Sequence, residues 1–586
     1  MRWPGLHGGF ILRILKRNRN VTRKAHPTLL SHLSRPLSTS SALYATKGPD
    51  FDDTSLSYGG KSMRQLLRAF LVYQLFSFNS IVDSSERLLK VAKKILGQSL
   101  FRKLMKWTIY GQFVAGEDLK TLQPAMKHLQ SRGVRSILDY AVEDDVQNSE
   151  VYMEVRHKAK PPSDTPHVTT DEDRSPQFSV STTPGKATVT SSARTYFYQD
   201  EHKCDENMEN FIKCIKIAAD ASDGEDAFAA IKLTGLGRTE FLLRLSEALV
   251  GSEKVFSILA DKPDLLEGVI TSDSFLRGAE RMKIDSRELH VPQLFDNLRA
   301  KGQSDSISFL QWYHSFQPGK ELYRILSTKK FSSSQPKLPV MSDNEKDQMK
   351  SVMRRVESLA DVAQERGVRL MVDAEQTYYQ PAIRHITVHR LMPKYNMQSP
   401  VVYNTQQCYL KNVDTSVALD LLTSETSGFH YGVKLVRGAY MEQENMLAVN
   451  KGYDSPIWRN KSETDLSYHK VLEGLMERMV TTDRGKVNVM VATHNEESIK
   501  FAISKMKELK VGKENIAFGQ LLGMCDHVTF SLGHHGYNVY KYMPYGSVEE
   551  ALPYLLRRAN ENKGMLAGAV RERELLWKEI RRRFKM

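Results

Sequence analysis

Arg557 and Arg558 stand side by side in "YMPYGSVEEALPYLLRRANEN", three and four residues after Tyr554, where Tyr, Leu and Ala recur at helical spacing. Such a pair is either solvated surface charge or a fork that grips a carboxylate through parallel hydrogen bonds. Other reactive groups close short apolar runs elsewhere in the chain. Lys232 lies in "AAIKLTGLG", Asp373 and Glu375 end "RLMVDAEQ", and Gln407 and Tyr409 end "VVYNTQQCY". Lys434, Arg437 and Tyr440 belong to "GVKLVRGAY", Thr493, His494 and Asn495 end "NVMVATHN", and Tyr542 lies in "VYKYMPYG". The arginines and Lys232 suit a small anionic substrate, while Lys434, Arg437 and the Thr-His-Asn triplet suit the phosphates and rings of a large polar cofactor. Plainer readings stand beside these. Lys232 fits a buried salt bridge to Asp373, and His494 alone fits a satisfied core histidine.

The runs that must position these groups number eight: 136–143, 229–237, 369–376, 401–409, 432–440, 488–495, 516–524 and 539–546. Helical patterns lie between most of them. In the clearest, Ser342–Arg366, the apolar residues Met349, Val352, Met353, Val356 and Leu359 share one face, Ser342 and Glu345 offer a capping box, and Gly367 offers a stop. Strands alternating with helices imply parallel pairing and right-handed crossovers. Eight such units predict an α/β fold, a distorted (β/α)8 TIM-like barrel, and one misread strand would turn it into an open doubly wound sheet. Barrel chemistry sits at the C-terminal ends of the strands, where these polar residues fall, and the helix bearing the arginines starts at the same mouth.

The expected organisation is a leader over 1–44, a helical N-terminal region over 45–130, and a first strand with its connection over 131–159. A disordered insertion over 160–193 follows, since that stretch has no Leu, Ile, Met or Trp to offset its chain entropy. The barrel continues over 194–239, a helical insertion over 240–340 separates the second and third strands, and residues 341–586 complete the barrel with a substrate-binding C-terminal helix. Within the insertion, 300–311 has the cadence of a calcium loop. With Ile307 at the eighth position, its ligand positions fall on Ala300, Gly302, Ser304 and Gln311, which argues against calcium.

The chain has 586 residues and a formal charge of +14. Nine Lys/Arg precede the first acid, Asp50, so the remainder is only modestly basic and a nucleic-acid partner is not expected. That leader mixes basic residues with the apolar run Phe10–Leu15 and then turns Ser-rich, the pattern of a mitochondrial transit peptide. Four scattered cysteines (Cys204, Cys214, Cys408, Cys525) suggest a reducing compartment. Ala69–Val82 is uncharged but shorter than the ~18 residues of a membrane span; it reads as a buried helix or, given flanking Arg64, Arg68, Lys90, Lys93 and Lys94, an interfacial one. No GxGxxG follows a strand, and no P-loop or HExxH is present. The pair His534–His535 lacks a third ligand at metal spacing and reads as a loop, so no metal site is expected.

"AIKLTGLG", "VDAEQTYYQPAI", "VYNTQQCYLK", "VKLVRGAYM", "VATHN" and "YMPYG…YLLRRANEN" resemble, in order and over roughly 130–565, the mitochondrial proline dehydrogenases. The resemblance implies a barrel that binds FAD without a Rossmann domain and oxidises L-proline to Δ1-pyrroline-5-carboxylate, the first step of proline degradation. It further implies electron transfer to ubiquinone at the matrix face of the inner mitochondrial membrane, with a downstream pyrroline-5-carboxylate dehydrogenase as a partner. Carried over by motif, Arg557, Arg558 and Lys232 would hold the proline carboxylate. Leu435, Tyr440, Tyr542 and Tyr554 would enclose the ring, and Asp373 would anchor Lys232 or the arginines. Gln407, Lys434, Arg437, Thr493, His494 and Asn495 would contact FAD. The related hydroxyproline dehydrogenases carry a smaller residue where this chain has Tyr542, and they are the alternative of the same fold. A rival of another class is a Schiff-base lyase with Lys232 as nucleophile; a third is a membrane-binding module built on the basic N-terminal helices.

Overall fold

The computed structural model of the chain describes residues 48–140, 201–222, 226–282, 306–316, 323, 338–481, 486–564 and 566–585. The expected leader (1–44) and disordered insertion (160–193) lie outside the described residues. In chain order the strands are β1 Val134–Tyr140, β2 Ala227–Ile231, β3 Val269–Thr271, β4 Ser306–Ser308 and β5 Val368–Val372. They continue with β6 Val402–Gln407, β7 Tyr431–Val436, β8 Val487–Ala492, β9 Ile516–Leu521 and β10 Asn538–Tyr545. Eight of them, β1, β2 and β5 to β10, close into a parallel barrel in which β10 pairs back with β1. Each of the eight expected runs supplies one barrel strand.

Side chains on a strand alternate between faces, so one residue of known direction fixes its neighbours. The inward set is Ile137, Phe228, Met371, Tyr403, Met490 and Tyr540, which pack together as a plug inside the barrel. Phe228 meets Tyr403 and Tyr540 edge-on, with centroids 5.0 and 5.1 Å away. The outward set, including Val372, Val433, Leu435, Val489 and Val491, packs against the surrounding helices in the main core. Both faces are therefore dry, which is why these strands read as nearly continuous apolar runs. The helix Asp343–Arg366 delivers the chain into β5; Ser342 and Glu345 form its capping box, and Gly367 ends it at φ 67°.

The insertion after β2 is not purely helical, as the sequence had suggested. Its helices Thr239–Leu259, Ser272–Arg281 and Phe309–Ser315 are accompanied by β3 and β4, which pair antiparallel with Ile270 opposite Ile307. Strands of three residues are too short to show a period of two. Asp261 and Asp264, in the segment between the helix Thr239–Leu259 and β3, accept from backbone N–H groups of Val269, Leu266 and Glu267.

The N-terminal helices pack over the mouth. Within 69–82 the helix Met63–Phe76 stops at Phe76 and a short helix, Asn79–Asp83, follows. Val72, Phe76, Phe101, Met105 and Phe113 pack with Val548, Tyr554 and Leu555 at the start of the last helices. Backbone bonds fix this layer to the end of β10: Ala115 N–H donates to the Pro544 carbonyl at 2.9 Å and Gly546 N–H to the Gly116 carbonyl at 3.0 Å. Tyr73 and Gln112 both donate to the Gly523 carbonyl, at 2.9 and 2.8 Å. Gly523 sits at φ 76°, and a Cβ there would lie 2.1 Å from the Gln112 carbonyl oxygen, so only glycine fits.

Candidate active site at the barrel mouth

Continuing the inward alternation past each strand's plug residue predicts which polar side chains enter the mouth. From Phe228 the next-but-one steps reach Ala230 and Lys232; from Met371, Asp373; from Tyr403, Thr405 and Gln407. On β7 the residues aligned with Thr405 and Gln407 are Lys434 and Val436. Met490 leads to Ala492 and His494, and Tyr540 to Tyr542. Six of the expected site residues thus share one direction because their strands share one pleat. The small residues Ala230 and Ala492 pack with the aromatic plug, and the Met490 side chain lies against Gly519.

The central contact is an ion pair between Lys434 Nζ and Asp373, both largely buried. Tyr542 donates its hydroxyl to the other carboxylate oxygen at 3.1 Å, and the ammonium lies 5.6 Å from the Tyr542 ring centroid. Asp373 thereby ties β5, β7 and β10 together. Lys434 is a partner of Asp373 in addition to those the sequence had suggested, Lys232 or the arginines.

Glu375, two residues further, is fully buried and was noted in the sequence without a role. Thr234 donates to it twice, from its N–H at 3.2 Å and its hydroxyl at 2.6 Å, which clamps the turn after Lys232 to the end of β5. Burial drives the Glu375 carboxyl up to about 7, against the pull of Thr234 and of the Lys232 charge, while Asp373 adds to the rise. Gln407 donates to the Glu375 carbonyl at 2.8 Å, joining β6 to the same loop.

Arg437 donates to Asp465 at 2.8 and 2.6 Å, to Thr493 Oγ1 at 2.5 Å and to Ser498 at 2.8 Å. Its guanidinium is thus held flat at the start of the Glu496–Leu509 helix, a position suited to phosphate. Asn495 caps that helix, its side chain accepting from Ser498 N–H at 3.2 Å. His494 accepts from the Leu521 N–H through Nε2 at 3.0 Å, so its proton resides on Nδ1. Burial, with the nearby Lys541 and Arg558 charges, pulls His494 down to about 3 and keeps it neutral. Lys434 and Arg437, each beside a carboxylate, and Gln407 and the neutral His494 form a polar rim whose chemistry fits an anionic, heteroatom-rich flavin nucleotide.

Arg557 and Arg558 lie on the helix Leu552–Gly564 and are 8% and 1% exposed, which removes the surface-charge reading. Tyr554 is buried with Leu521 and Met524 of the β9 loop packed in the same cluster, and its ring lies 4.9 Å from the Arg558 guanidinium and 5.9 Å from that of Arg557. Leu521, which packs in the Tyr554 cluster, donates its N–H to His494, so the helix bearing the arginines adjoins the His494 end of the rim. Tyr440 is buried at the cap of the helix Met441–Lys451. Leu435 is a correction. It occupies the outward face of β7, packs in the core between barrel and helices, and its carbonyl accepts from Tyr468 at 3.2 Å. Its neighbours Lys434 and Val436 take the opposite face of the strand, a distinction that a motif carried over from the resemblance does not make.

A cluster that sequence reasoning missed lies behind His494. Asp526 bridges Lys61 and Lys541 at 2.7 and 2.8 Å, while His527 contacts Glu496 at 2.8 Å and Glu572 at 3.4 Å. The signal was present in "GMCDH", three polar or thiol residues directly after a barrel strand. His534 and His535 end and cap the following helix, Asp526–His534.

A family model described as proline dehydrogenase matches residues 122–570. The chain belongs to the proline dehydrogenase family. It is 39% identical over 547 residues to a human protein named mitochondrial proline dehydrogenase 1, covering 92% of this chain and 90% of that one. It is also 31% identical over 559 residues to a Xenopus laevis protein named hydroxyproline dehydrogenase, covering 95% of both. Among solved structures, proline utilization A from Bdellovibrio bacteriovorus, inactivated by N-propargylglycine, aligns with a TM-score of 0.49 at 14% identity, covering 95% of this chain and 40% of that chain.

Proposed function

We propose that this proline dehydrogenase family member oxidises L-proline to Δ1-pyrroline-5-carboxylate with FAD and passes the electrons to ubiquinone. The observation that carries the reading is the buried arginine pair at the mouth of a barrel whose sequence matches the family model. Arg557 and Arg558, with Lys232, bind the substrate carboxylate, and Tyr440, Tyr542 and Tyr554 wall the ring. Fixing the carboxylate at three cations orients the carbon beside nitrogen, the arrangement in which proximity supplies up to about 7–11 kcal/mol. Lys434, Gln407, Arg437, Thr493 and His494 hold the cofactor, and Asn495 fixes the helix start beside it. When bound, FAD supplies the hydride acceptor. Asp373 neutralises Lys434 and holds Tyr542, and the N-terminal helices exclude water from the mouth.

The name of the human relative supports a mitochondrial location, and the reading places the enzyme at the matrix face of the inner membrane. The test is the visible absorbance of the purified protein. A flavin spectrum that bleaches when proline is added agrees with the reading; a colourless protein that takes up no FAD, or a flavin indifferent to proline, defeats it. The Xenopus relative motivates a second reading, hydroxyproline as substrate. Tyr542, held by Asp373, occupies the ring wall and disfavours a ring hydroxyl, so turnover of proline is expected to exceed that of hydroxyproline.

A further inference from the structure

The helix Ser85–Trp107 carries seven Lys/Arg and a single acid, Glu86. Gly97, at φ 69°, divides it into two arms. At about 3.6 residues per turn, each arm shows the same three stripes in the same rotational order. The first stripe faces the protein: Leu89 and Ala92 in one arm, Phe101 and Met105 in the other, all packed in the cluster that also holds Tyr554. Roughly a third of a turn away lies a second apolar stripe that is exposed, with Leu88, Val91 and Ile95 and then Leu100, Leu104 and Trp107. Ile95 is 75% and Trp107 62% exposed. The third stripe is cationic and exposed: Arg87, Lys90 and Lys94, then Arg102, Lys103 and Lys106. Of these, Arg102 and Lys106 also contact Glu549 and Glu117.

An exposed apolar stripe bordered by basic side chains is the composition of a helix lying in a membrane interface, the apolar edge among acyl chains and the ammonium groups at the headgroups. Among the described residues no helix is long and apolar enough to cross a membrane, so attachment through such an edge needs no span. Charge decides between occupants. A second copy would bring one strongly basic face against another, whereas an anionic lipid surface complements both stripes. We propose that the helix Ser85–Trp107 is the surface by which this protein docks on an anionic membrane. The inference deepens the reading above, because an acceptor dissolved in lipid requires the mouth to be held at a bilayer. The same helix packs through Phe101 and Met105 on the layer that covers that mouth.

The test is flotation of the purified full chain with vesicles of phosphatidylcholine containing about a third phosphatidylglycerol, against pure phosphatidylcholine. Binding is expected to be at least about tenfold tighter to the anionic vesicles and to weaken with added salt. Two double variants at exposed positions, Ile95→Glu with Trp107→Glu and Lys94→Glu with Lys103→Glu, are each expected to lose at least about tenfold in binding. Their melting temperature and their proline-dependent reduction of a soluble dye stay at wild-type values. Wild-type protein that ignores both vesicles, variants that bind as wild type, or a lipid-free dimer that Ile95→Glu with Trp107→Glu dissolves would each overturn the proposal. Flotation does not depend on turnover, so a protein that floats but leaves proline untouched refutes the enzymatic reading alone.

Discussion

Lys434 and Asp373 come from strands separated by β6 and meet in a buried ion pair, with Tyr542 closing the carboxylate from the far side of the mouth. Removing one member of such a pair strands the other charge in a dry site, which costs about 3–5 kcal/mol. Asp373→Ala is therefore expected to lose that much in denaturant unfolding. Tyr542→Phe, which deletes one hydrogen bond and leaves the pair, is expected to lose only about 1–2 kcal/mol. Equal losses in the two variants would show that the ion pair is not what joins these strands.

Arg557→Met and Arg558→Met are each expected to raise the KM for proline by tens to thousands of fold, given about 2–4 kcal/mol for one member of a charged contact. Both positions are buried, so the measurement is paired with flavin content to separate substrate binding from folding. An unchanged KM in both folded variants would remove the fork from the substrate site.

Glu375 gives a pH dependence of determinate sign. Burial raises its carboxyl from the ordinary 4.5 to about 7, so between those values the folded chain holds a proton that the unfolded chain releases. Stability then falls as pH rises through that window. Glu375→Gln keeps an acceptor and donor for Thr234 but no longer titrates, so its melting temperature relative to wild type is expected to climb from pH 4.5 to about 7 and to level off above that. A constant offset across that range would contradict the assignment.

His527 and Glu496 give opposite limbs. Burial works against the His527 charge, but the hydrogen bonds and fields of Glu496 and Glu572 outweigh it and raise His527 from 6.5 to about 9. That contribution is complete below about 6.5 and is lost as pH rises through 9. Burial likewise opposes the Glu496 charge, yet His527 and Arg571 bring it from 4.5 down to about 2, so its contribution is lost as pH falls through that value. His527→Gln is expected to lower the melting temperature most near pH about 6 and least above pH about 9, a narrowing gap that thermal scans would reveal.

The barrel was legible because each strand is dry on both faces and announces itself as an apolar run with a reactive end, as in "RLMVDAEQ". Lys232, Asp373, Gln407, Lys434, His494 and Tyr542 follow from the pleat once the plug residues are known. Leu435 failed for the same reason, since motif order says nothing about which face a residue takes. Partners were harder than positions. Which cation Asp373 meets depends on strands far apart in the chain, and the group around His527 draws residues from Lys61 to Glu572. The strand pair β3–β4 was too brief to leave any periodic trace.

The bonds that seat the N-terminal helices on the mouth join residues 436 and 450 positions apart, as with Tyr110 to Gly546 and Tyr73 to Gly523. During synthesis this earlier segment must wait for most of the later residues before its acceptors exist. In that interval Val72, Phe76 and Phe113 lack the surface that later shields them. The order of manufacture and the order of assembly are therefore reversed for this layer.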